Sequence, residues 1–157
     1  MAPTPPRRLI VRRSDPAPLV DAVAARAADG RGWINLAPDL GDDHQAAAGG
    51  GWFSARGPTV PHATYMAARP GRGGRMTPAQ VGIEHGAGPR AVARLADAGH
   101  PLPAGWRVRQ DHPRRGLVAE VAPGAEPARI VEWLLGAAAV LSGVPTGDAW
   151  LADVWEG

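Results

Sequence analysis

The chain contains no cysteine and no lysine among its 157 residues. Without cysteine there is no disulfide framework, no thiolate nucleophile and no cysteine-ligated metal. Without lysine there is no P-loop, no Schiff base and no covalently held pyridoxal cofactor. Aromatic residues other than Trp are scarce, with one Tyr and one Phe against six Trp. All 17 basic residues are Arg, and 15 acidic residues leave a formal net charge of +2. That balance demands no nucleic-acid partner, although the sequence pI is 10.3. Long apolar runs are also missing. "IVEWLLGAAAVLSGV" is too short to cross a membrane and carries Glu132. "MAPTPPRRLIVRRSD" has paired arginines but no apolar run of signal-peptide length behind them. These absences lead to the expectation of a cytoplasmic protein with no membrane partner and no cofactor.

What is there suits one domain. Apolar residues make up 45% of the chain, enough for a single core at this length. Residues 1–7 are Pro-rich and expected to fray, leaving 8–157 as the domain. "RLIVRR" reads as a strand, and "PAPLVDAVAARAADG" as a helix stopped by Gly30, with Leu19, Val20, Val23 and Ala27 along its apolar stripe. "GWINL" is a second strand. Residues 37–51 read as loop, and Trp52 of "GGGWFSARG", expected on a flexible loop with Phe53 and Arg56, suits a stacking or ligand-gating role. "TVPHATYMA" is a strand that Pro61 pushes toward a sheet edge or bulge, and "ARPGRGGRM" is a flexible basic loop. "EPARIVEWLLGAAAVLSG" is a helix apolar almost all round, so it is buried on several sides, and a homodimer through it is open. "DAWLADVWEG" alternates as a final strand. The fold expected is α+β: a mainly antiparallel sheet with about three helices packed on it.

Residues 77–99, "TPAQVGIEHGAGPRAVARLADAG", admit two readings. In one, "AQVGIEH" is a strand that turns through Gly86 and Gly88 into a helix with Pro89 at its first position. Free amides at that helix start would favour an anion, with Arg90 adding a bidentate contact and His85 at the strand end. The plainer version is that the glycines only permit a tight turn. In the other, Thr77 caps a first helix as part of "TPAQ", Gly86 opens a turn, and a second helix follows. That arrangement, with "DHPRRGLV" as a wing tip carrying Asp111 and the Arg114-Arg115 pair, resembles MarR-type winged-helix repressors. The resemblance implies that Arg90 and Arg94 face a DNA groove and Arg114 and Arg115 the phosphates.

"WRVRQDHPRRGLVAEV" (106–121) is a hairpin in which two strand-like runs flank six loop residues. Three acid–histidine pairs occur along the chain: Asp43-His44, Glu84-His85 and Asp111-His112. His85, Asp111 and His112 are the candidates for acid–base chemistry. A site from His62, His85 and His112 requires neighbouring strands, and no metal-ligand spacing joins them, so no metal is expected. In regular strand geometry Asp111 and His112 point to opposite faces. The turn alternative has Asp111 accepting local amides, Pro113 fixing the turn and Gly116 supplying positive φ.

"VGIEHG", "GWRVRQDHPRRGLV" and "WLLGAAAVL" resemble small proteins of high-GC actinobacteria to which no activity attaches. The function expected, on separate grounds from that resemblance, is a non-enzymatic binding or interaction domain. It would take a small anionic ligand or a partner protein near Gly86, Gly88, Arg90, Arg114 and Arg115. A winged-helix DNA-binding regulator and a small hydrolase or lyase using a His–Asp pair are the alternatives.

Overall fold

The computed structural model describes residues 2, 4–41 and 57–157. Strand β1 (Arg7–Arg12) leads into helix α1 (Ala17–Asp29) and strand β2 (Trp33–Pro38). Strand β3 (His62–Met66), a small hairpin of β4 (Arg69–Pro70) and β5 (Met76–Thr77), and strand β6 (Gln80–Glu84) follow. Helix α2 (Ala91–Asp97) precedes the hairpin of β7 (Arg107–His112) and β8 (Gly116–Glu120). Helix α3 (Pro127–Leu141) and strand β9 (Ala149–Trp155) complete the order. Seven strands form one sheet in the order β1-β9-β2-β3-β6-β8-β7, every pair antiparallel. The α+β fold with three helices on an antiparallel sheet is the one the residue pattern implies.

Period-2 alternation divides the sheet into an inner and an outer face. Val11, Trp150, Ile34, Tyr65, Val81 and Leu117 point inward and are buried under the helices. Helix α3 is buried along most of its length, from Ile130 to Leu141, within this one chain. Its near-continuous apolar sequence is thereby accounted for by its own core. Helix α1 ends at Gly30, whose φ of +63° forms a left-handed cap. Its inner stripe differs from the expected one: Ala22 and Arg26 are buried, while Val20 is half-buried and Ala27 exposed. Arg26 Nη2 donates to Asp29 Oδ2 at 2.8 Å and Nη1 to the Glu156 carbonyl at 3.3 Å. The side chain fits because Gly32 has no Cβ to meet it.

Four further expectations need revision. Strand β3 is internal, paired with β2 on one side and β6 on the other. Pro61 stands just ahead of its first ladder residue, so its missing N–H costs no sheet bond. The basic segment 69–77 is an ordered hairpin in which Arg69 pairs with Thr77. Thr77 is thus a strand residue and not a helix cap. The loop of the 106–121 hairpin shrinks to residues 113–115, because β7 runs through Asp111 and His112. Both sheet edges carry arginines, Arg8 and Arg12 on β1 and Arg107 and Arg109 on β7, which discourages pairing with another strand. Among the described residues no helix is long and apolar enough to cross a membrane.

Candidate functional site

Strand β6, helix α2 and strand β7 bring His85, Arg90, Arg94 and Asp111 into one region. Residues 80–84 pair with β3 and β8, so the first helix of a helix-turn-helix is not formed there. Of the two readings of 77–99, the strand is the one observed.

The glycine turn after β6 has structural causes. A Cβ on Gly86 would crowd the Gly57 carbonyl, at 2.9 Å, and Gly88 has φ +88°. Helix α2 starts two residues later than Pro89 suggested. Arg90 is the N-cap residue, in the left-handed conformation at φ 60° and ψ 47°. Among the described residues Arg90 alone is non-glycine with positive φ.

The amides at the start of α2 do hold an anion, and it is the protein's own. Asp111 Oδ1 accepts from the Ala91 N–H at 3.0 Å, and Oδ2 from the Val92 N–H at 3.1 Å. Asp111 reaches them because β7 contains a bulge between Val108 and Gln110. The extra residue shifts the alternation, so that Asp111, opposite Leu117, shares the inner face with Val108, opposite Ala119. Capping is thus supplied from a strand 20 residues away. An external anion at this helix start would have to displace a carboxylate tied by two charge-assisted bonds.

His85 lies beside this cap and is only 1% exposed. Its Nδ1 accepts from the Ala87 N–H at 3.2 Å, which places the ring proton on Nε2. Nε2 is buried and has no partner among the described residues. Burial holds the imidazole below its ordinary value; Asp111 opposes that effect and Arg94 adds to it. Arg94 Nε donates to the Pro89 carbonyl at 3.3 Å.

His112 serves the turn. Its Nδ1 accepts from the Arg114 N–H at 3.1 Å and the Arg115 N–H at 3.2 Å. The turn role expected of Asp111 is therefore played by its neighbour, while Gly116 supplies φ +85° as expected. Gln110 Nε2 closes the other side by donating to the Arg115 carbonyl at 2.9 Å. Asp111 and His112 point to opposite faces of the sheet and act on different elements. His62 is exposed on the outer face, opposite Glu84, far in environment from buried His85. No group of three potential metal ligands gathers among the described residues. Trp52, Phe53, Arg56 and the Asp43-His44 pair lie outside the described residues.

The outer face of the sheet carries features that sequence reading missed. Trp33 and Trp155, on adjacent strands, stack at a centroid distance of 5.5 Å and an interplanar angle of 14°. Arg8 and Asp153 form a bidentate pair at 2.7 and 2.9 Å. Thr64 Oγ1 donates to Asn35 Oδ1 at 3.2 Å. Ile10 is 73% exposed at one side of this face. At the other, Arg115 joins His62, Glu84, Met66 and Val118 around a depression of about 210 Å³. The period-2 pattern of each strand contained the signal. The neighbours on the face could be found only with the strand order. No protein-family model, curated protein or solved structure matches the chain.

Proposed function

We propose that the protein is a non-enzymatic binding domain that engages a partner protein through the outer face of its sheet. One observation carries this reading. No described element covers that face, yet it presents exposed Ile10, a stacked Trp pair and side chains already held in Arg8–Asp153 and Asn35–Thr64 pairs. Trp, Arg and Met are the residue types that anchor protein interfaces, and rigid pre-paired side chains lose little entropy on docking. The arginine-lined edges favour contact through the face and not through an added strand. Arg115 of the hairpin turn stands at one end of this surface, which keeps part of the expected site in use. The start of α2, with Gly86, Gly88 and Arg90, is served internally by Asp111 and supports the fold.

The test is capture and cross-linking from the producing cells with the wild-type chain and an Ile10→Asp/Arg115→Glu variant. Both changes are at exposed positions and leave the core intact. A partner held by the wild type, lost from this variant and retained by the helix-side control Arg129→Ala supports the reading. Partners retained equally by both variants refute it.

A further inference from the structure

On the opposite, helix-bearing side of the sheet a cavity of about 470 Å³ opens between α1, β3, the β8–α3 connection and the base of the β4–β5 hairpin. Ala27, Tyr65, Met76, Pro78, Val121 and Ile130 form much of its wall, and small residues complete it. The space is bordered by short side chains from separate segments: Ala27 from α1, Ala68 and Ala79 flanking the hairpin, Ala122 and Ala125 before α3. Its volume lies in the roughly 300–1,000 Å³ range of small-molecule sites. Among the described residues no charged side chain lines it, and Tyr65 brings its one hydroxyl. An ionised group inside would be desolvated without a partner, so the body of any occupant is apolar. Met76 stands on the rim, 60% exposed, and its flexible thioether can fold over a guest.

The charge lies at the mouth. The β4–β5 hairpin carries Arg69, Arg72 and Arg75, all exposed. None of them is ion-paired among the described residues. No acidic residue occurs in the sequence between Asp43 and Glu84; the acidic residue that flanks the cavity is exposed Glu126, between lining residues Ala125 and Pro127. Arg69 follows lining residue Ala68, and Arg75 precedes lining residue Met76. In extended backbone each leaves the chain on the side opposite its lining neighbour, beside the mouth, on a flexible arm long enough to bend back toward it.

We propose that this cavity binds a small amphipathic acid, its apolar body between α1, α3 and β3 and its anionic head met by the hairpin arginines. The head is a carboxylate or a phosphate, since a guanidinium fork matches both. The inference is independent of docking on the outer face.

Decanoate, decyl phosphate and decanol, each titrated against the full chain, test it. Tyr65 is the only tyrosine, so its ring signals in NMR report occupancy directly. At least one of the two acids is expected to shift those signals, raise Tm and bind at least tenfold more tightly than decanol. Arg69→Gln/Arg72→Gln/Arg75→Gln is expected to remove that preference while leaving decanol unchanged. Ala125→Phe is expected to abolish all three. No perturbation of Tyr65 by either acid, or decanol binding as tightly as both acids, would overturn the proposal. So would acid binding unaltered in the arginine variant, which decides the matter even if Ala125→Phe fails to fold.

Discussion

Removing the carboxylate of Asp111 is the sharpest perturbation of the cap that joins β7 to α2. In Asp111→Ala the amides of Ala91 and Val92 lose bonds of 3.0 and 3.1 Å to a charged acceptor. Loss of a helix cap costs about 0.5–2 kcal/mol, and a hydrogen bond to a charged group contributes about 1.5–3 kcal/mol. The region is partly buried, so water replaces the acceptor only in part. The expected loss is about 2–3 kcal/mol, a fall in Tm of about 5–10 °C at this chain length. Helix α2 spans only Ala91–Asp97, and a helix so short does not hold without tertiary support. Hydrogen exchange should therefore accelerate first in α2, ahead of β6 and β8. Asp111→Asn keeps one acceptor oxygen and turns a donor toward the second amide, so about half the loss is expected. Urea unfolding gives the magnitude, and exchange measured by NMR locates it. A loss below about 0.5 kcal/mol in Asp111→Ala, or exchange spread evenly over the sheet, would refute the capping argument.

His112→Ala should cost about 1 kcal/mol in urea unfolding through the lost turn acceptor, and His112→Asn should restore most of it, since an Asx turn makes the same contacts. Gly116→Ala should cost about 2–4 kcal/mol, because φ is +85° and an added Cβ would press on the Ile83 carbonyl; calorimetry measures it. Stability should fall as pH drops from above 6.5. The unfolded chain takes up a proton on His85 near its ordinary value of 6.5, while the folded chain, held lower by burial, does so only at lower pH. The stabilising difference is thus fully present above 6.5 and is lost down to the folded value, with a slope of at most about 1.4 kcal/mol per pH unit. His85→Gln should flatten that part of a pH series of urea midpoints; an unchanged slope would remove His85 as its source.

Much of the architecture followed from short-range pattern. The alternation in "DAWLADVWEG" and the Gly30 stop after α1 each specify a local geometry that tertiary packing kept. The all-round apolar character of "IVEWLLGAAAVL" likewise announced a buried helix. Local pattern also excluded thiolate and lysine chemistry outright, because residues that are missing cannot be restored by folding. It failed where position depended on a partner segment. Strict alternation groups Asp111 with Arg107 and Arg109; the bulge that turns it inward is visible only against the register of β8. Pro61 looked like an edge marker, yet one residue's offset from the ladder leaves β3 inside the sheet. The Asp111 carboxylate and the α2 amides lie 20 residues apart, and no local rule joins them. The outer-face cluster draws on β1, β9, β2, β3, β6 and β8, and the apolar cavity on segments from Ala27 to Ile130. Sequence by itself determined the type of most elements and the alternation within their regular runs, because those depend on backbone periods of 2 and 3.6. Which of those faces meet, and so where the surfaces and cavities lie, was decided by the tertiary structure, because strand order and register are set by the packing of the whole core.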